Sequence, residues 1–277
     1  MGKVLAISSH VVRGAVGLAA TVPALQYLGH EVWALPTVLL SSRPGLGRLA
    51  TRDMPAAELT EMLSALEVDG CWPSLDAVLT GYFTSPQGVV AAAEAVGRIK
   101  AAKPGIPVLV DPVVGDAGRL YVAQATAEAI RDALLPLATI ATPNLFELSW
   151  LTGRPSRSSQ ETEQAARRLG PPTVIVTSAS ETETGVATLL AAPGRHVERV
   201  MPKRAGIPNG AGDLFAGLFL GNLLNGGSDE EALDASLADL DRVLAASAGR
   251  DVLQLAALNE YLVRDIRNTR RLERDRS

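Results

Sequence analysis

Short apolar runs that end in small polar residues alternate along this chain with longer stretches whose apolar residues recur at helical spacing. The runs at residues 3–9 (KVLAISS), 76–81 (DAVLTG), 106–110, 138–142 and 173–177 have the length of buried strands. A further extended segment over 31–40 contains Pro36, which has no N–H for a ladder and argues for an edge or a break there. The stretches 15–28, 55–68, 86–103, 126–135 and 161–169 read as helices, and on 55–68 the residues Leu59, Met62, Leu63 and Leu66 share one face. Residues 41–47 (SSRPGLG) read as a loop. Asn144 follows Thr142-Pro143 and can cap a helix that carries Glu147. Residues 186–192 and 196–201, about Pro193-Gly194, have the pattern of a hairpin, so the sheet is expected to end in antiparallel strands. Helices are expected over 214–224, 229–246 and 252–266.

This alternation predicts an α/β fold: a mainly parallel central sheet with helices on both faces and some antiparallel edge strands. The whole of 1–277 is expected to be one domain, with no internal repeat or low-complexity linker. In such folds ligands bind at the carboxyl ends of the strands. Ser9, Tyr82, Asp111, Asp116, Thr142, Asn144, Thr177 and Ser178 all follow predicted strands, so they should converge on one rim and form one site.

Composition narrows the classes. Hydrophobic residues make up 47% and aromatics only 4%, so Ala, Leu and Val do the packing, which favours helices layered on a sheet. A net charge of −4 gives no basic field for nucleic acid. The single cysteine, Cys71, excludes an internal disulfide framework and suits a reducing compartment; it reads as inert core or loop. No signal peptide opens the chain and no apolar run is long enough for a bilayer, so a soluble cytoplasmic protein without a membrane partner is expected.

The chemistry centres on Asn209-Gly210-Ala211-Gly212-Asp213-Leu214-Phe215. Glycines before a helical apolar run make a turn into a helix N-terminus, where unpaired N–H groups and the positive end of the macrodipole face outward. Such an end cradles anionic oxygens, and glycine lets a phosphate approach the backbone. Asp213, in the first turn, would sit beside those anions as a general base. Taken alone, the same string is equally a glycine-rich helix start with a capping Asp.

With six segments in order, the chain resembles the pyridoxal kinases of the ribokinase-like superfamily over about residues 4–224. These segments are Ile7-Ser8-Ser9-His10-Val11-Val12-Arg13-Gly14, Leu79-Thr80-Gly81-Tyr82, Val110-Asp111-Pro112-Val113-Val114-Gly115-Asp116, Thr142-Pro143-Asn144-Leu145-Phe146-Glu147, Val174-Ile175-Val176-Thr177-Ser178 and Gly210-Ala211-Gly212-Asp213. The resemblance implies an ATP-dependent kinase that phosphorylates the 5′-hydroxyl of pyridoxal, with pyridoxine and pyridoxamine as further acceptors. It implies that Ser9 hydrogen-bonds the pyridine nucleus, that His10 and Tyr82 belong to the same pocket, and that Asp213 takes the hydroxyl proton. Gly210, Ala211 and Gly212 would form the anion hole. Asp111, Asp116, Thr142, Asn144 and Glu147 would form the ATP side, with Asp116 and Glu147 holding Mg²⁺, and Thr177 and Ser178 would meet nucleotide phosphates. The resemblance brings K⁺ as an accompanying ion and a homodimer as the assembly.

The segment Leu40-Ser41-Ser42-Arg43-Pro44-Gly45 departs from the family, whose Phe-Ser-Asn-His-Thr-like run contacts the vitamin. Pro44 and Gly45 stand where side chains could hydrogen-bond it, and Arg43 adds a charge. Two rival readings are a hydroxymethylpyrimidine kinase, which shares the glycine–Asp motif, and a non-catalytic B6-vitamer-binding protein. His10, His30 and His196 are too scattered for a zinc site, and His30 and His196 read as surface residues. The tail with Arg264, Arg267, Arg270, Arg271, Arg274 and Arg276 reads as a solvated helix.

Overall fold

The computed structural model describes residues 1–259. In chain order the elements are β1 (Lys3–Arg13), α1 (Leu18–Tyr27), β2 (Glu31–Ser42), β3 (Thr51–Asp53), α2 (Ala56–Val68), β4 (Ala77–Thr80), α3 (Pro86–Ala102) and β5 (Val108–Val110). There follow β6 (Gly115–Asp116), β7 (Arg119–Leu120), α4 (Gln124–Ala129), β8 (Ile140–Ala141), α5 (Leu145–Thr152), α6 (Ser159–Arg168), β9 (Thr173–Glu181), β10 (Gly185–Ala192), β11 (Arg195–Pro202), α7 (Ala211–Leu224) and α8 (Asp229–Ser247). Among the described residues a nine-stranded sheet has the order β11-β10-β9-β8-β5-β4-β1-β2-β3. Its centre, from β2 to β9, is parallel; β3 pairs antiparallel with β2 at one edge, and β10 pairs antiparallel with both β9 and β11 at the other. This is the α/β architecture expected from the alternation of patterns, with a second antiparallel edge at β3.

Helices cover both faces. Leu59 and Leu63 of α2, Val89, Val96 and Ile99 of α3, Leu148 of α5 and Ala165 of α6 pack on one face. Leu25 of α1, Leu214, Phe215 and Phe219 of α7, and Leu233 and Leu240 of α8 pack on the other. Residues 214–221 of α7 are all buried, which is why the helix is apolar all round. Burying an aromatic side chain such as Phe215 or Phe219 contributes about 1.5–3 kcal/mol relative to exposure.

Several elements differ from expectation. Strand β1 continues past Ser9 to Arg13, and β2 to Ser42, because the two pair with each other beyond the rest of the sheet. Pro36 sits where β2 has no partner on its outer side, since β3 joins only at residues 38–40, and a bulge follows it. Helix α1 starts at Leu18, three residues later than predicted, because Gly17 holds φ 56° and ψ −135°. The helix expected over 126–135 becomes α4, a π-helical turn Ile130–Leu134 and a tight turn Leu135–Leu137 that contains Pro136. Met62, expected on the packed face of α2, is 45% exposed.

His30 is buried, not superficial: its Nδ1 accepts from the Gly2 N–H at 3.0 Å while Nε2 lies 2.9 Å from the Gly221 carbonyl. His196 is exposed and lies 2.8 Å from Glu163. Cys71 is half-buried and free. Of the helix predicted over 252–266, residues 252–254 are not helical and Leu255–Asn259 form a short turn; residues 260–266, and the Arg-rich tail, lie outside the described residues. No described helix is long and apolar enough to cross a membrane.

Candidate active site

Side-chain alternation decides which polar residues meet. Leu79, Leu109, Ile140 and Ile175 pack on the α7 face of the sheet. Two residues further along each strand, Gly81, Asp111, Thr142 and Thr177 share that face at the carboxyl ends, as Ser8 does on β1. Helix α7 brings its N-terminus to the same edge. Gly210 is its N-cap in the left-handed region (φ 114°), and a Cβ there would overlap the Ala15 carbonyl. Of the first-turn N–H groups, that of Asp213 turns to its own carboxylate, while those of Ala211 and Gly212 have no carbonyl acceptor within the helix. A Cβ on Gly212 would meet nothing, so the space over that turn is open.

Asp213 is fixed from two sides. The Gly17 N–H stabilises its ionised carboxylate, and the Thr21 Oγ1 hydroxyl donates to its carbonyl at 3.1 Å. A close approach of α1 to α7 at Gly217, where a Cβ would lie 3.0 Å from Ala24 Cβ, sets the spacing. Asp213 keeps some solvent contact yet is densely surrounded by protein. Burial pushes its carboxyl up to about 6, against the hydrogen bonds from Gly17 and from its own N–H.

Asp111 is buried and accepts from the Thr142 hydroxyl at 2.8 Å. Burial pushes it up to about 7, and the charge of Asp213 adds to the push while Thr142 opposes it. Glu147, also buried, is raised well above the usual carboxylate range by burial and then by Asp111. The three carboxylates therefore form an electrostatically linked row that runs away from α7.

Asn144 caps α5 as the sequence predicts, in a reciprocal capping box with Glu147. The Glu147 carboxylate accepts from the N–H groups of Asn144, Val114 and Gly115 at 2.9, 2.9 and 3.3 Å. Asn144 Nδ2 also donates to the Gly115 carbonyl. Glu147 thus folds the 112–120 loop over the site, and Asp116, on the β6–β7 hairpin that this loop forms, is exposed.

Among the described residues no three His, Cys, Asp or Glu side chains gather closely enough to hold a metal by themselves. The clustered, destabilised carboxylates nevertheless suit a hard cation that completes its shell with phosphate oxygens and water.

At the end of β9, the Thr177 N–H donates to the Pro143 carbonyl, and Thr177 bridges to Asn144. The β9 ladder is irregular between Val176 and Ser180, and Ser178 holds φ 48°. A bulge and a left-handed non-glycine residue at a strand end are the local distortions common beside binding sites.

Another group of candidate residues lies under the extension of β1 and β2. Val11, Val16, Val38 and Leu40 form a small apolar cluster against which Tyr82 packs. Ser9 is buried. Ser8 Oγ accepts from the Tyr82 N–H at 3.0 Å, and the Thr37 hydroxyl donates to the Tyr82 carbonyl at 2.7 Å, so both ends of the Tyr82 backbone are held. His10 is exposed and alternates with Val11, which puts it on the outer face of the extension with Val12 and Leu39.

The sequence alone singles out neither Gly17 nor Thr37, and it places Ser8 at a strand end without a role. A Cβ on Gly17 would overlap the carbonyl and hydroxyl of Ser9, so this glycine links Ser9 to Asp213. The spacing Gly14-x-x-Gly17 ahead of a helix was the available signal, and it was absorbed into the helix predicted from residue 15.

A crevice at the carboxyl edge of a parallel sheet, with a carboxylate beside a free helix N-terminus, defines a phosphotransferase-like site. The pfkB family carbohydrate kinase profile matches residues 78–238. A pyridoxal kinase PdxY of Granulibacter bethesdensis is 35% identical over 274 residues, covering 94% of this chain and 96% of that protein. The pyridoxal kinase of Entamoeba histolytica superposes with a TM-score of 0.88 at 26% identity, over 95% of each chain. The pyridoxal kinase of Leishmania donovani in complex with ADP and pyridoxamine does so with a TM-score of 0.84 at 30% identity, over 93% of this chain and 92% of that one. The chain belongs to the pfkB family of kinases in the ribokinase-like superfamily, and within it to the pyridoxal kinases.

Proposed function

We propose that this protein transfers the terminal phosphoryl group of ATP to the 5′-hydroxyl of pyridoxal, giving pyridoxal 5′-phosphate and ADP. The observation that carries this reading is the seat of Asp213: in the first turn of α7, beside N–H groups without acceptors, and coupled to Asp111. Asp213 accepts the hydroxyl proton as the oxygen attacks the γ-phosphorus and the bond to the β-phosphate oxygen breaks. Backbone N–H groups of Gly210, Ala211 and Gly212 neutralise the charge on the phosphoryl oxygens in flight. Ser9, Tyr82 and the apolar cluster hold the ring, and the row Asp111, Thr142, Asn144, Glu147 with Thr177 and Ser178 holds the nucleotide.

Mg²⁺, held through Asp116 and Glu147 with water and phosphate oxygens completing its shell, would supply charge neutralisation. Because the Glu147 oxygens accept three backbone hydrogen bonds, its contact with the ion is read as water-mediated. K⁺ is included as a second ion, tested by turnover in potassium against choline chloride. The exposed apolar residues Val12 and Leu39, on the outer face with His10, support a homodimer, tested by light scattering. We place the protein in the cytoplasm.

The deciding assay offers purified protein, ATP and Mg²⁺ with pyridoxal and, separately, hydroxymethylpyrimidine. Turnover of pyridoxal supports the proposal; turnover of the pyrimidine alone, or tight binding of pyridoxal without product, overturns it.

A further inference from the structure

The β3 strand carries a feature that the site's chemistry has not used. In the antiparallel pairing, Asp53 stands opposite Val38 and Thr51 opposite Leu40, while Arg52 stands opposite Leu39. Paired residues share a face. Asp53 and Thr51 therefore lie on the face of Val38 and Leu40, which pack with Tyr82, and Arg52 lies on the outer face with Leu39. The charge of Asp53 reaches the Tyr82 phenol, which burial and then Asp53 push above its usual range. No ion pair engages Asp53 among the described residues. Arg43, further along the chain past β2, donates to the carbonyls of Asp251 and Pro44. The 43–45 segment, with Pro44 and Gly45, offers the ring little side-chain hydrogen bonding.

We infer that Asp53 is a specificity residue which, with Tyr82 at the rim of the acceptor pocket, favours acceptors bearing a protonated amine. The inference rests on the B6-kinase reading. The three vitamers differ in one ring substituent, an aldehyde, a hydroxymethyl or an aminomethyl group, and only the last is cationic at neutral pH. An unpaired carboxylate beside an apolar wall attracts that ammonium and is indifferent to the neutral groups. The site is open to solvent, so the effect is modest and screened by salt.

The test compares kcat/KM for pyridoxamine, pyridoxal and pyridoxine in the wild type, Asp53→Asn and Asp53→Lys, with Arg52→Gln as a control on the opposite face. Asp53→Asn should lower kcat/KM for pyridoxamine about three- to fivefold relative to pyridoxine, as for an exposed ion pair. Asp53→Lys should lower it further, Arg52→Gln should leave the ratio unchanged, and raising salt to about 0.5 M should shrink the wild-type preference. An equal change for all three vitamers, or none, overturns the inference while leaving the kinase reading standing. No phosphorylation of any vitamer by the wild type removes both.

Discussion

The Gly17 backbone N–H stabilises the ionised carboxylate of Asp213, although the two are far apart in sequence. The space that a side chain on Gly17 would need is filled by the carbonyl and hydroxyl of Ser9. One glycine thus lies against both Asp213, the proposed base, and Ser9, assigned to the proposed acceptor pocket. Gly17→Ala places an L residue at φ 56° and ψ −135° and displaces Ser9, so a loss of about 1–3 kcal/mol in stability is expected. Turnover should fall with it. Thermal melts and kcat check both, and a variant with wild-type melting and turnover would remove Gly17 from this role.

Gly210 and Gly212 should separate in the same experiment. Gly210→Ala forces a Cβ onto the Ala15 carbonyl at φ 114° and should destabilise. Gly212 has a helical backbone and open space above it, so Gly212→Ala should melt like the wild type. Its methyl group would instead occupy the space assigned to phosphate, and it should raise the KM for ATP or lower kcat. Unimpaired kinetics in Gly212→Ala would move the anion hole elsewhere.

Asp213→Asn keeps the shape of the crevice and removes the proton acceptor. A fall in kcat of about 10²–10⁴-fold is expected, the usual contribution of a positioned general base. ADP affinity, measured by calorimetry, should stay within about twofold of wild type, because Asp213 is placed toward the acceptor and not the nucleotide base.

The acid limb of kcat/KM should report the same group. Asp213 serves as a base only when ionised, and burial sets its carboxyl at about 6 in the free protein. Activity should therefore rise with pH through about 6 and drop roughly tenfold per pH unit below it. Profiles over about pH 5–9 would show this, and a limb near the ordinary carboxylate value of about 4 would mean that Asp213 is not the titrating base.

Asp111 should cost stability at neutral and alkaline pH. Its carboxyl is raised from 3.8 to about 7, so between those values the folded protein binds more protons than the unfolded chain. Stability then falls as pH rises through that window. The upper bound for the shift is about 4 kcal/mol, and relaxation and water will reduce it. Asp111→Asn can still accept from Thr142, so it should raise stability by about 1–3 kcal/mol at pH 8 and by little at pH 4, while impairing activity. Urea denaturation at the two pH values measures the difference.

How much could be read from the chain follows from the range of each signal. Apolar periodicity is local, so the strands and helices of the central sheet were legible, as were the hairpin at Pro193-Gly194 and the capping of α5 by Asn144. The glycines before Asp213 were legible because a turn into a helix has its own composition. Strand β3 was not, since Thr51, Arg52 and Asp53 are all exposed and pair only because β2 runs beside them. The burial of His30 depends on Gly2 and Gly221, partners that no window around residue 30 contains.

What the sequence determined alone is the order of elements and the placing of polar residues after strands, because each depends on neighbours along the chain. The tertiary structure decided which of those residues meet. It stacked Asp111 on Thr142, turned Glu147 onto three backbone N–H groups, left Asp116 in solvent and set His10 on an outer face. Those outcomes rest on side-chain direction, strand register and the approach of α7 to α1, which are fixed only when the whole sheet is assembled.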